Sequence, residues 1–350
     1  MPVCEMRAWL LKNITDLTKD EHPLHLGNVP VPVPSDNEIL VKVSCCGVCH
    51  TELDEIEGRT SPPAFPVIPG HQVVGIVEEQ GATASRFKQG DRVGIAWIYS
   101  ACGECEYCKA GLENLCPCFK ATGRDSNGGY AEFIVVNEHF AYHIPADFSD
   151  EEAAPLLCAG AIGYRSLKLA NLNNGQTLGL TGFGASGHQV LKMARYLFPA
   201  SEIFVFARSE YEQDFALELG AAWAGDISDK PPHKLNAIID TTPVWSTVVA
   251  SLSCIKPGGR LVINAIRKES TDQKALLELH YQDHLWMEKE IKSVANIVRK
   301  DVEEFLKLAA IIPLRPVIER YPFERANEAL VDLKHKHVRG GKVLVFNNQG

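Results

Sequence analysis

The hexapeptide Gly182-Phe183-Gly184-Ala185-Ser186-Gly187 restricts the fold more than any other stretch of this chain. It follows the apolar run TLGLT and opens the helical pattern HQVLKMARYL. Glycines spaced G-x-G-x-x-G at a strand-to-helix turn let the backbone approach a pyrophosphate, which rests on the helix N-terminus. The spacing alone is a weak signal, and its surroundings give it weight. EIFVFARS, LNAIIDTT, RLVINAI and EIKSVAN read as strands, with EQDFALELGA and VVASLSCIKPGG as helices. That alternation predicts an α/β fold, a doubly wound parallel Rossmann sheet. Thr181, Gly182, Phe183, Gly184, Ala185, Ser186 and Gly187 are its expected dinucleotide contacts.

A NAD-binding sheet usually places Asp or Glu about 20 residues past the glycines, on the ribose 2′-hydroxyl. Here that place holds Ala207, Arg208 and Ser209. A cation where a carboxylate is usual predicts NADP, with Arg208 and Ser209 as contacts. The alternative is NAD, with Arg208 stacked on adenine.

A chain of 350 residues outgrows the roughly 250–300 at which one core stops growing. A second domain is therefore expected. MRAWLL, EILVKVSC, QVVGIVEEQ, GDRVGIAW and GGYAEFIVV read as short strands broken by Gly and Pro turns. They predict a β-rich, partly closed sheet. The texture changes at Ser149, which stands three residues before Glu152 in a capping-box pattern and opens an apolar helix. After residue 298, RKDVEEFLKLA and FERANEALVDLKHK read as amphipathic helices, with GGKVLVF as a last strand that returns to the first domain. The expected division is 1–152 with 299–350, and 153–298.

The formal charge of −9 and the lack of a basic cluster exclude a nucleic-acid footprint. No apolar run is long enough to span a bilayer. MPVCEMRAWLLKN has no signal-like pattern, so a cytoplasmic chain is expected. Its 11 cysteines then point to metal or chemistry rather than disulfides. In the lobe 99–118, Cys102, Cys105, Cys108 and Cys116 are spaced C-x2-C-x2-C-x7-C. Four thiolates so close can close around one structural zinc. The stretch from Cys46 to Gly75 carries Cys49, Thr51 and His71 on what reads as a proline-rich loop. A thiolate and an imidazole suit zinc, and Cys158 is the candidate third ligand, leaving a position open as catalytic zinc requires. The competing reading makes them a packed thiol pair and a core histidine.

GVCHTEL, GHQVVGIVEEQG, the four-cysteine lobe, LLCAG, the glycine fingerprint and GGKVLVF occur in the order of one family. Together they resemble the medium-chain, zinc-dependent alcohol dehydrogenases over essentially the whole chain, the yeast-type and cinnamyl-type members above all. The resemblance implies a GroES-like catalytic domain beside the Rossmann domain and two Zn2+ per chain. It implies hydride transfer between NADP, or NAD, and a small primary or secondary alcohol or its aldehyde, in a homodimer or homotetramer. Cys49, His71 and Cys158 become the catalytic zinc ligands, and Thr51 the hydroxyl that meets the substrate oxygen. Glu52 becomes the carboxylate that orients the histidine, and His50 and Lys342 become coenzyme contacts. Trp97 becomes a wall of the alcohol pocket.

Three positions depart from the family pattern. Gln72 replaces the usual carboxylate after the histidine and leaves the site one negative charge short. Asp54 stands where a relay histidine is common, and Ile162 where a threonine is usual. Two alternatives remain open, the second supported by Gln72 and Asp54. One is a zinc-free quinone reductase, against which the three ligands argue. The other is a zinc- or dinucleotide-binding redox sensor without turnover.

Overall fold

The computed structural model describes residues 4–312, 314–335 and 340–346. The chain forms two units, Met1–Cys158 with Val298–Gly350, and Ala159–Ile297. In the first unit β1 (Glu5–Leu11) pairs antiparallel with β2 (Leu24–Pro30). Then come β3 (Glu38–Val48), α1 (His50–Ile56), β4 (Val73–Gln80), β5 (Arg92–Ile95) and β6 (Ile98–Ser100). After α2 (Glu106–Lys109) follow β7 (Lys120–Ala121), β8 (Phe133–Asn137), β9 (Ala141–His143) and α3 (Asp150–Pro155). The expected capping box forms at α3: Glu152 N–H donates to Ser149 Oγ at 3.2 Å, and Ser149 N–H to Glu152 Oε2 at 2.9 Å.

The second unit comprises α4 (Ala161–Ala170), β10 (Leu178–Thr181), α5 (Ala185–Leu197), β11 (Ile203–Phe206), α6 (Glu210–Glu218) and β12 (Trp223–Gly225). It continues with β13 (Leu235–Asp240), α7 (Trp245–Cys254), β14 (Ile255–Ile263) and β15 (Glu290–Ser293). The chain then returns to the first unit with α8 (Arg299–Ile311), β16 (Ile318–Pro322), α9 (Ala326–His335) and β17 (Gly341–Val345).

The second unit's sheet is parallel, in the order β12-β11-β10-β13-β14-β15. Every residue of β10 and β11 is buried, as a sheet covered on both faces requires. Phe204, Leu235, Ile238, Leu252 and Leu261 lie in one core cluster of this unit. The sheet of the first unit runs β16-β17-β3-β4-β5-β9, with β8 also on β3. β16 and β17 are parallel and its other pairs antiparallel. No helix among the described residues is long and apolar enough to cross a membrane.

Several elements differ from the sequence reading. The helix expected over VVASLSCIKPGG stops at Cys254, and Ile255–Gly259 belong to β14. Pro257 has no N–H to continue a helix. The strand expected over GGYAEFIVV shrinks to Phe133–Asn137, because Gly128, Gly129 and Tyr130 bond elsewhere. Their N–H groups donate to Ile68 O, Gly70 O and Pro69 O at 2.7, 2.9 and 3.0 Å. The stretch read as a loop after Cys46 contains α1.

Candidate active site and metal centres

Strand pairing brings the two halves of the site together. Cys46 on β3 lies opposite Val73 on β4, and Gly47 N–H donates to Gln72 O at 2.9 Å. Cys49 and His71 therefore leave the pair at the same end. Cys49 caps α1 in an extended conformation, and its Sγ accepts the Thr51 N–H at 3.3 Å. Glu52 reaches back, and its Oε2 accepts the Cys49 N–H at 2.8 Å. This is a capping box in which sulfur takes the place of a hydroxyl. The other oxygen, Glu52 Oε1, lies 2.5 Å from His71 Nδ1. An ionised carboxylate only accepts, so Nδ1 carries a proton and Nε2 is the ring nitrogen turned toward the two thiols.

The backbone before His71 is held equally firmly. Gly70 has φ +98°, and a Cβ there would run into the Tyr130 ring. The 128–130 segment clamps this turn through the three backbone bonds described above. Cys158 sits in a single π-helical turn, Leu156–Gly160, just after Pro155. Such widened turns are frequent at functional sites because they re-aim side chains.

His71 Nε2 lies 3.5 Å from Cys49 Sγ and 3.3 Å from Cys158 Sγ. One ion bonded to N and S at about 2.0 and 2.3 Å would set them about 3.5 Å apart. The donor set thus fits tetrahedral zinc and leaves room for a fourth ligand. Electrostatics favour a cation there. Burial pushes the His71 pKa down, but Glu52 and Cys49 outweigh it, and the net shift is well upward. The hydrogen bond with Cys158 and then burial push the Cys49 thiol well up. Both groups hold protons that a metal would displace.

Thr51 stands in the first turn of α1, beside Cys49, with His50 before it. Gln72 is buried, and its side chain occupies the space that a Cβ on Gly47 would need. Trp97 is buried against Phe119, ring centres 5.2 Å apart, with Arg124 5.7 Å above its face. Its Nε1 has no hydrogen-bond partner among the described residues. Asp54 is buried, and the Arg59 Nε donates to it at 2.5 Å. Glu55 was missed by the sequence reading. It is 1 % exposed, and neither carboxyl oxygen has a partner among the described residues. Burial first, then Glu52, hold its pKa well above the usual carboxylate range. Its place three residues after Glu52 would have marked it, had α1 been read as a helix.

In the lobe, the Sγ atoms of Cys102, Cys105, Cys108 and Cys116 lie within 4.8 Å of one another. Cys102 Sγ is 3.5 Å from Cys116 Sγ and 3.9 Å from Cys108 Sγ. A tetrahedron of Zn–S bonds has edges of about 3.8 Å, whereas a disulfide needs about 2.05 Å. All 11 cysteines are free thiols. Backbone N–H groups of Glu104 and Cys105 pull the Cys102 thiol down to about 6. Cys118 N–H donates to Cys116 Sγ at 3.3 Å, while its own thiol lies outside the four.

In the second unit the glycine turn forms as read. Gly182 has φ +80° and joins β10 to the turn. A Cβ on Gly184 would meet nothing within 4 Å, and no side chain caps α5 at that residue. Open space before uncapped N–H groups fits a pyrophosphate. Thr181 ends β10, Phe183 is buried, and Ser186 and Gly187 lie in the first turn of α5. Arg208 is exposed just beyond β11. Ser209 is already engaged: its hydroxyl accepts the Glu212 N–H at 3.2 Å and caps α6.

Lys342 differs from expectation. It is 1 % exposed, and its ammonium donates to Glu319 Oε2 at 2.6 Å and Tyr321 Oη at 2.7 Å. Within the first unit this ion pair ties β17 to β16, and a coenzyme phosphate would have to compete with Glu319 for the ammonium.

Known proteins agree with this architecture. The Alcohol dehydrogenase GroES-like domain family matches residues 35–146, and the Zinc-binding dehydrogenase family matches residues 205–345. A probable alcohol dehydrogenase, AdhA, of Mycobacterium tuberculosis is 43% identical over 97% of each chain. An alcohol dehydrogenase of Geobacillus stearothermophilus is 33% identical over 92% of this chain and 95% of its own. A cinnamyl alcohol dehydrogenase structure from Sorghum bicolor superposes with a TM-score of 0.82 at 27% identity, covering 98% of both chains. With a GroES-like domain, a parallel dinucleotide-type sheet and full-length alcohol dehydrogenase relatives, the chain belongs to the medium-chain, zinc-dependent alcohol dehydrogenase family.

Proposed function

We propose that this enzyme is a zinc-dependent alcohol dehydrogenase and aldehyde reductase that prefers NADP. The observation that carries the reading is the convergence of Cys49, His71 and Cys158, with Glu52 fixed behind the imidazole. These three residues would hold the catalytic zinc, and Cys102, Cys105, Cys108 and Cys116 a structural one. When bound, zinc supplies an electrophile for the substrate oxygen, and the nicotinamide accepts or donates the hydride.

The chain's own residues do the rest. Glu52 keeps the Nδ1 proton of His71 and so commits Nε2 to the metal. Thr51 would relay the hydroxyl proton during oxidation, its Oγ1 accepting it as its own proton passes on toward solvent, and the reverse during reduction. Asp54 is ion-paired with Arg59, so the proton leaves Thr51 by another route. The uncapped first turn of α5 would bind the pyrophosphate, and His50 remains a coenzyme contact that the family resemblance implies. Arg208 would meet a 2′-phosphate, which supports the NADP preference. A homodimer or homotetramer is the expected assembly.

Zinc analysis joined to kinetics tests the proposal. The enzyme should carry two zinc ions and oxidise a primary alcohol with NADP. Cys49→Ser should carry one and lose turnover. One zinc in the unsubstituted chain, or undiminished turnover by Cys49→Ser, would refute it.

A further inference from the structure

Thr181 and Asp240, the last residues of β10 and β13, are register partners where the strand order reverses. Ligands of doubly wound sheets bind outside the carboxyl ends of the strands at such a point. Asp240 is fully buried beneath it. Its Oδ1 accepts from Thr181 Oγ1 at 2.7 Å, Thr242 Oγ1 at 2.8 Å and Thr242 N–H at 3.1 Å. Its Oδ2 takes the Lys268 ammonium, on a side chain that is only 7% exposed. That ammonium also donates to Thr242 O at 2.8 Å and Val244 O at 3.1 Å.

The segments after β13 and β14 are thereby tied together. Glu269 N–H adds a bond to Pro243 O, and Asn264 N–H one to Asp240 O, each at 2.7 Å. Thr241 meets the glycine turn through bonds of its own, which need neither charge of the pair. Thr241 Oγ1 donates to Thr181 O at 2.9 Å, and a Cβ on Gly182 would stand 2.7 Å from that hydroxyl oxygen.

A buried ion pair contributes little net stability over apolar residues of the same shape, whereas its breakage leaves an expensive lone charge. Two paired strands have no need of it. What this pair does supply is one fixed arrangement of two crevice-floor segments. The sheet consists of two mononucleotide-binding halves. The glycine turn and Arg208 belong to the half built from β10, β11 and β12. The tied segments belong to the other.

We propose that Asp240 and Lys268 are positioning residues of the coenzyme crevice, holding the 241–244 and 264–269 segments in the arrangement that receives the nicotinamide half. The proposal rests on the reading that the coenzyme binds at the glycine turn. The test uses the zinc-loaded enzyme, titrated calorimetrically with NADP and with 2′,5′-ADP, which carries only the adenosine side. Thermal unfolding of each variant is followed in parallel. Lys268→Met and the charge-free pair Asp240→Asn with Lys268→Met should weaken NADP about tenfold or more, the worth of one charge-assisted hydrogen bond. Binding of 2′,5′-ADP should stay within about twofold, a change well under one such bond.

Lys268→Arg, which keeps the charge and the donors, should recover most of the NADP affinity. Thr242→Val removes one hydroxyl and should shift NADP in the same direction by less, so the test survives if a charge variant does not fold. Unchanged NADP binding in the folded variants overturns the proposal, and so does equal weakening of NADP and 2′,5′-ADP. If the unsubstituted enzyme binds neither ligand, the coenzyme reading fails and the proposal falls with it. That outcome is recognisable because it appears before any substitution.

Discussion

Glu52→Gln tests the zinc site without touching a ligand. In the native chain both carboxylate oxygens accept, from His71 at 2.5 Å and from the Cys49 N–H at 2.8 Å. A glutamine has one accepting oxygen and an NH2 group, so one of the two donors must face another donor. The loss is one hydrogen bond to a charged group, about 1.5–3 kcal/mol. At about 1.4 kcal/mol per decade, that is roughly a 10–100-fold weaker zinc site, the range known for outer partners of ligating histidines. Competition with a chromophoric chelator near neutral pH measures it. One zinc equivalent should become that much more labile, while the four-cysteine ion keeps its affinity. Glu52→Asp, with both acceptors but a shorter reach, should fall between. If Glu52→Gln holds both ions as firmly as the native enzyme, the carboxylate does not orient His71.

Three further outcomes are expected. Glu55 keeps its proton in the folded chain where the unfolded chain gives it up, because burial and Glu52 raise its pKa. Stability from this group is therefore lost as pH rises above the ordinary carboxylate range near 4.3 toward the raised folded value. Glu55→Gln should raise the melting temperature by a few degrees at about pH 8 and not at about pH 4, and an equal gain at both would refute the burial argument. Cys116→Ser should remove one zinc and lower the melting temperature while NADP affinity is unchanged; retention of two zinc ions would contradict the lobe assignment. Arg208→Ala should cut kcat/KM for NADP roughly 10–100-fold and leave NAD within about threefold, as loss of a phosphate contact predicts. Equal losses would mean that Arg208 stacks on adenine.

The parts legible in the sequence were those where one physical signal dominated. LGLT and IFVF are apolar throughout because both faces of their sheet are covered, and the glycines between strand and helix permit little else. The two candidate metal clusters could be anticipated because thiols at short spacing, and a thiol and an imidazole in one stretch, suit a soft cation, and the structure brings each set of donor atoms within 4.8 Å of one another. The sequence did not disclose α1. HTELDEI has only Leu53 and Ile56 as apolar residues, and its cap is a cysteine rather than a hydroxyl or carboxylate. Its charges are buried through the Glu52–His71 and Asp54–Arg59 pairs, which are visible only once the chain is folded. Glu55 was missed because it lies on the same unread helix and is buried there without a partner among the described residues. The partners of Lys342 were not legible either, because β17 runs beside β16, which delivers Glu319 and Tyr321 to its ammonium. The Asp240–Lys268 tie joins residues 28 positions apart across two crossover segments. Neither residue belongs to a motif.

A crystal structure of the zinc-loaded enzyme with anomalous data at the zinc edge tests the central claim most directly. Two peaks per chain are predicted. One should lie about 2.3 Å from the Sγ atoms of Cys49 and Cys158 and about 2.0–2.1 Å from His71 Nε2, the other among the four lobe cysteines. A single peak in the lobe, or a peak at His71 with Cys158 Sγ beyond bonding distance, would contradict the account.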